Sequence, residues 1–147
     1  MSTKRQVLGR FGELTVAKHC QCPKCKRSQT LKRLPNNFKC ADLICDFCGY
    51  LAQVKATSVR SIETVPKSVL GAAWGPQKDR MTSAIYFPSF WCSLRGSNIR
   101  SSTSRQTYNL PKMFKPRKPL SLTARRAGWR GFIYDLTGVQ QSFVRLK

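Results

Sequence analysis

Apolar positions near the start of the chain recur at helical intervals. Leu8, Phe11, Leu14 or Thr15, and Ala17 fall on one side, which predicts a short amphipathic helix from Leu8 to Cys20. The pattern then changes. After the turn signal Asn36-Asn37, Phe38 to Ile44 reads as a strand, and Tyr50 to Thr57 as its antiparallel partner beyond a reversal at Gly49. Ser68 to Trp74 is small and apolar enough to predict a helix closed by Gly75-Pro76. Ile85 to Leu94, aromatic and β-branched, predicts another strand, with Pro88 marking an edge or a bulge. The Ser- and Arg-rich run from Gly96 to Gln106 reads as a mobile loop. Lys115-Pro116-Arg117-Lys118-Pro119 excludes regular helix and central strand, because proline removes donors and fixes φ. Loose alternation at Phe132, Tyr134, Leu136, Phe143 and Val144 predicts closing strands. The expected class is α+β with an α/β core: a mixed sheet flanked by helices, carrying a small metal-binding insert.

Charge narrows the class of partner. The 147 residues include 27 Lys or Arg against 6 Asp or Glu, a formal charge of +21. Eleven Lys or Arg and no acid lie between Arg80 and Tyr134. Such an excess points to a polyanion, nucleic acid first, bound with strong salt dependence. A hydrophobic fraction of 41% separates the chain from disordered basic tails. The longest uncharged stretch, Met81 to Leu94, is 14 residues and broken by Pro88, too short to span a bilayer. No apolar run follows Lys4 and Arg5, so no secretory signal is read, and a cytoplasmic location is expected.

Seven cysteines stand at 20, 22, 25, 40, 45, 48 and 92. Cys22-Pro23-Lys24-Cys25 and Cys45-Asp46-Phe47-Cys48 form two CxxC pairs with 19 residues between them. Two-residue spacing lets both thiolates of a pair meet one tetrahedral ion, and two pairs complete a closed four-thiolate shell for structural zinc. Cys20, Cys40 and Cys92 lack paired spacing and read as buried or incidental thiols. His19, the only histidine, reads as a helix-end residue, so no Ser-His-Asp or Cys-His arrangement is available.

Acids this rare each ask for a reason. Gln53 and Lys55 lie two apart on the second strand and share a face, and the hairpin can bring Asp42 opposite them. An Asp, an oxygen-bearing side chain and a Lys two residues later is the layout of a metal-dependent nuclease. Asp42 and the Gln53 amide would hold Mg²⁺, Lys55 would orient the attacking water and offset phosphorane charge, and Glu13 could add a carboxylate. On spacing alone, a cross-strand ion pair between Asp42 and Lys55 is the plainer reading.

Asp42-x10-Gln53-Val54-Lys55 resembles the PD-(D/E)xK nuclease signature, with Ala41 for the usual Pro and Gln53 for the usual acid. The second knuckle is embedded between Asp42 and the second strand. The segment Arg117 to Trp129, ending Arg-Arg-Ala-Gly-Trp, is distinctive. Together these resemble the DpnI-type, dam-replacing restriction endonucleases, which cleave GATC duplexes methylated on adenine. The resemblance implies one nuclease domain over residues 1–147, with a zinc ribbon within residues 20–50 and a basic DNA-binding segment over residues 112–130. Within that segment Arg117, Lys118, Arg125, Arg126 and Trp129 are the expected DNA contacts. It further implies structural Zn²⁺ on Cys22, Cys25, Cys45 and Cys48, catalytic Mg²⁺ on Asp42 and Gln53, and double-stranded DNA as the partner. The family's C-terminal winged-helix reader has no room in these 147 residues, so recognition by the nuclease domain alone, or as a transient dimer on DNA, is expected. The competing readings are a DNA-binding protein that lost turnover at Gln53 and a ribosome-like RNA binder.

Overall fold

The computed structural model describes residues 2–36, 38, 41–74, 88–95, 102–107, 113–138 and 144–145. Cys40, the Gly75-Pro76 stop, Ile85 to Phe87, residues 96–101, Tyr108 to Lys112 and Phe143 lie outside them. The first element, α1 (Lys4–His19), begins four residues earlier than its apolar periodicity predicts. Thr3 supplies the reason: its hydroxyl accepts from the Gln6 N–H while the Gln6 side chain accepts from the Thr3 N–H, a capping box that satisfies two orphan donors.

Among the described residues, nine strands follow. They are β1 (Leu31–Arg33), β2 (Leu43–Cys45), β3 (Leu51–Ser58), β4 (Ser68–Trp74), β5 (Ser89–Leu94), β6 (Ser102–Thr107), β7 (Phe114–Lys115), β8 (Trp129–Asp135) and β9 (Val144–Arg145), with a short helix α2 (Leu122–Arg126) before β8. Six strands form a mixed sheet in the order β1-β2-β3-β5-β6-β9, in which β3 and β5 run parallel and the other neighbours antiparallel. The other three form an antiparallel sheet, β4-β8-β7. The α+β class expected from the sequence is the class observed.

Period-2 alternation assigns the two faces of the mixed sheet to two cores. Ala52, Val54, Phe90, Cys92 and Leu94 pack with Val16 of α1, whereas Trp91 points the other way and joins Val69, Met113, Phe132, Tyr134 and Leu136 of the second sheet. Trp91 meets Tyr134 edge-on, with ring centroids 5.0 Å apart. Phe132 meets Tyr134 at 4.8 Å, each such pair adding about 0.5–1.5 kcal/mol beyond its buried area. β5 is buried from end to end and covered on both faces.

Four expectations are corrected. Ser68 to Trp74 is strand β4: it pairs with β8 along all seven residues, and Gly71 lies against the Phe132 and Tyr134 rings, so tertiary pairing overrides the helical tendency of its alanines. The downstream part of the Gly96 to Gln106 loop is strand β6, anchored by the buried Arg105, whose guanidinium donates to the Ile62 and Glu63 carbonyls at 3.1 Å each. Pro88 marks no edge, since it precedes a central strand and its carbonyl accepts from the Gln53 N–H. The first hairpin strand is also shorter than expected, three residues from Leu43, which leaves Asp42 just outside it.

The close approach of α1 to β3 yields a paired prediction. A Cβ on Gly12 would sit 2.5 Å from the Ala56 Cβ, whereas one on Gly9 meets nothing within 4 Å. In thermal or urea unfolding, Gly12→Ala destabilises by about 1–3 kcal/mol. Gly9→Ala on the same helix stabilises by about 0.5–1 kcal/mol.

Candidate active site and metal centre

The two CxxC segments fold into the same shape. In the first, the Cys22 N–H donates to the Arg27 carbonyl and the Lys26 N–H to the Cys22 carbonyl. In the second, Cys45 N–H to the Tyr50 carbonyl and Gly49 N–H to the Cys45 carbonyl repeat the pattern at the same intervals. Both turns close through a left-handed residue, Lys26 at φ 62° and Gly49 at φ 73°. Each points two backbone N–H groups at its first thiol, from Lys24 and Cys25 onto Cys22, and from Phe47 and Cys48 onto Cys45.

All four sulfurs lie within 4.8 Å of one another. Cys22 and Cys48 are 3.6 Å apart, and Cys25 and Cys45 3.7 Å. A tetrahedron with Zn–S bonds of about 2.3 Å has edges of about 3.8 Å, so the thiols stand where one zinc would draw them. Their proton affinities diverge. Burial, with the Cys48 and Cys25 sulfurs alongside, pushes the Cys22 thiol up to about 12. Cys45 is held at about 6: burial works against its thiolate, but the Thr30 hydroxyl and the Cys48 and Phe47 N–H groups outweigh it. Four thiols so arranged ionise together only around a cation. Cys20 and Cys92 are buried in the α1-side core, as expected of thiols without paired spacing, and His19 ends α1.

The second constellation forms where β2 begins. β2 pairs with β3 only at Leu51 and Ala52, so the next outward N–H on that side of β3, Val54, needs another acceptor. Asp42 supplies it: its Oδ2 accepts from the Val54 N–H at 2.7 Å, while its own N–H donates to the Ala52 carbonyl at 2.9 Å. The carboxylate is thereby pinned over the backbone between Gln53 and Lys55. Glu13 reaches the same place from α1, and Arg33 from β1, with Arg33 Nε 2.9 Å from Glu13 Oε2.

Electrostatics register this convergence. Burial raises the Glu13 pKa above its ordinary value; its hydrogen bond to Arg33 opposes the rise, and the Asp42 charge adds to it. Burial works to lower the Lys55 pKa, but Tyr134, Asp42 and Glu13 raise it further, so the side chain stays an ammonium at neutral pH. The Lys55 ammonium lies 5.9 Å from the centre of the Tyr134 ring. Gln53 is buried, 7% exposed, and lies opposite Ser89 of β5. A cleft of about 350 Å³ opens beside Glu13 and Asp42, with Arg10, Arg33, Asn36 and Phe38 on its walls. The carboxylates, as hard oxygen donors, fit a divalent cation, and the ammonium fits a phosphate.

The basic segment lies on the second sheet. Arg125 and Arg126 are exposed on α2, whose first turn is capped by the Ser121 hydroxyl accepting from the Ala124 N–H. Lys118 is exposed, and Trp129 is 37% exposed at the head of β8. Arg117 is partly buried and reaches the Gly71 carbonyl at 3.5 Å, so part of its work is to fasten this segment to β4. Trp129 and Tyr134 share one strand five residues apart, about 17 Å at 3.4 Å per residue. Sequence reasoning missed Arg33 and Thr30. Neither sits in a recognisable motif, and only the folding of β1 onto β2 brings Arg33 to Glu13 and Thr30 to Cys45.

Among the described residues, no helix is long and apolar enough to cross a membrane. The fold and its two sites define an α+β protein that joins a four-cysteine metal clamp to a carboxylate–lysine centre on a basic scaffold. Over residues 2–145 the sequence matches the family model described as DpnI, the Dam-replacing family, and the chain belongs to that family. Membership implies a restriction-type nuclease with DNA as its partner.

The metal clamp is testable by removing one thiol. Cys22→Ser or Cys48→Ser is expected to abolish zinc binding, measured by elemental analysis, and to cost the cooperative thermal transition, because metal affinity is folding free energy here.

Proposed function

We propose that this chain is a Mg²⁺-dependent type II endonuclease of the PD-(D/E)xK kind that hydrolyses GATC duplexes methylated on adenine, its zinc ion purely structural. The observation that carries the reading is the 2.7 Å hydrogen bond from the Val54 N–H to Asp42 Oδ2, which brings the signature Asp beside Gln53 and Lys55. Asp42 Oδ1, Glu13 and the Gln53 amide oxygen would hold magnesium, which supplies Lewis-acid polarisation and a water of lowered pKa.

The chain's own residues define the remaining roles. Lys55, kept as an ammonium by the two carboxylates, cannot abstract the water's proton; it offsets the charge that grows on the phosphorane and orients the nucleophile. Arg33 donates to Glu13 and opposes the rise in its pKa that burial and the Asp42 charge impose. The zinc shell, closed by four thiolates, leaves no position for substrate and acts by holding β2, hence Asp42, against β3. Arg125, Arg126, Lys118 and Arg117 neutralise phosphates, and Trp129, exposed beside the arginines, packs against the methyl-bearing step. A second reading rests on Gln53: an amide replaces a carboxylate, and a site short of one negative charge fits a protein that binds DNA without turning it over.

Asp42→Asn keeps an acceptor for the Val54 N–H and removes the charge. It is expected to stay folded and to lose cleavage of methylated plasmid, whereas Asp42→Ala also loses about 1–2 kcal/mol of stability. Discrete fragments from adenine-methylated plasmid alone support the full reading. Binding without cutting, with turnover appearing in Gln53→Glu, supports the second.

The sign of the pH dependence follows from Glu13. Its raised pKa means that it protonates at a higher pH than an ordinary carboxylate as the solution is acidified, and a neutral carboxyl holds a divalent cation poorly. The Mg²⁺ concentration for half-maximal cleavage is therefore expected to rise as pH is lowered toward that pKa. A Glu13→Gln protein should lack this dependence in a metal titration at several pH values.

A further inference from the structure

Two knuckles of one backbone shape present different chemistry to solvent. The first carries Lys24, Lys26 and Arg27, all exposed, and the second carries Phe47, which at 58% exposure belongs to neither core. The Arg27 guanidinium lies over the Phe47 ring, 3.7 Å from its centroid, so the cation of one knuckle rests flat on the aromatic of the other. Lys26 occupies the left-handed position that glycine fills in the second knuckle, a conformation that crowds the Cβ of any other residue against the following carbonyl. Lys26 thus puts a cation at a turn position that glycine fills in the second knuckle, beside Lys24 and Arg27. Gln29 shares the left-handed backbone, so it is the cluster of charge, not the strain, that marks this surface. The nearby acid, Asp46, faces Lys32 at 3.9 Å.

We infer that the outer surface of the metal clamp is a second DNA-contact site, in which Lys24, Lys26 and Arg27 bind backbone phosphates of the duplex and Phe47 holds the Arg27 guanidinium in place. The inference rests on the reading of the chain as a DNA nuclease and adds a contact surface apart from the Arg125–Trp129 segment. Its position suits the task. Asp42 precedes the strand β2 and Cys45 ends it, about 10 Å apart at 3.4 Å per residue. A duplex held at Asp42 and running along β2 would reach the knuckles within about three base pairs, at about 3.4 Å of rise each. Because the four sulfurs hold both knuckles together, the backbone that carries these cations is ordered before binding, and Arg27 is further held by Phe47.

The test is fluorescence anisotropy of a labelled GATC duplex, methylated on adenine, with the zinc-loaded full chain carrying Asp42→Asn, across a range of salt concentrations. Removing all three cations (Lys24→Gln, Lys26→Gln, Arg27→Gln) is expected to reduce the slope of log affinity against log salt by about 2–3, near 0.9 for each phosphate contact. Lys26→Gly alone should reduce it by about 1. Lys26→Gly also relieves the turn, so weaker binding at unchanged or higher thermal stability separates DNA contact from a structural role. Phe47→Ala, which keeps every charge, should weaken binding about two- to fivefold, the worth of an exposed cation–π contact. Parental slopes in all these variants, with zinc content intact and the parent binding in a salt-dependent way, overturn the second site and leave the nuclease reading standing. A parent that does not bind the duplex overturns both.

Discussion

One hydrogen bond reconciles the needs of the sheet with the needs of the site. β3 runs on past the point where β2 begins, and its next N–H, at Val54, would otherwise be an unpaired donor at the edge of the core. The Asp42 carboxylate accepts it. A backbone requirement thus places a negative charge beside Gln53 and Lys55, where Glu13 can approach from the helix side of the sheet and Lys55 from the other. Without that bond the carboxylate would turn to solvent, and the Coulombic link among Asp42, Glu13 and Lys55 would weaken.

The cysteine clamp works on the same short hairpin from its far end. β2 is only three residues long and could not hold its register by ladder bonds alone. Cys45 terminates it, and the four thiols tie it to the segment after α1, the helix that carries Glu13. The two centres are thus joined through one short strand: the cysteine cluster holds one end of β2, and Asp42 lies at the other. Small knuckles with little apolar surface need such a cross-link, because their burial cannot offset the entropy of ordering them.

The second sheet has a different role. Its face toward the mixed sheet is aromatic, with Trp91, Phe132 and Tyr134 in edge-on contact, and it supports Lys55 through Tyr134. One strand, β8, then carries the chain from that buried tyrosine out to the exposed Trp129 beside Arg130 and α2. Under the proposed function, this strand would connect the acid–lysine centre to a basic, partly apolar surface at a fixed distance.

Much of this was legible in the residues. Paired CxxC spacing identifies a metal shell because two-residue loops leave thiolates little choice of geometry, and the excess of Lys and Arg identifies a polyanionic partner whatever the fold. The first helix follows from apolar spacing, though four residues short at its start. Asp42, Gln53 and Lys55 stand out as a signature only through the family resemblance, since their spacing alone reads as an ion pair. Tertiary structure decided the rest. Ser68 to Trp74 became a strand because β8 and two aromatic rings lay waiting for it, and Ser102 to Thr107 because β5 offered an edge to pair with. Arg33 became part of the site through the folding of a three-residue strand with no motif of its own. Local pattern reports what a segment prefers in isolation. Which acceptor a stranded N–H finds, and which cation meets a half-buried acid, depends on residues distant in sequence that only packing brings together.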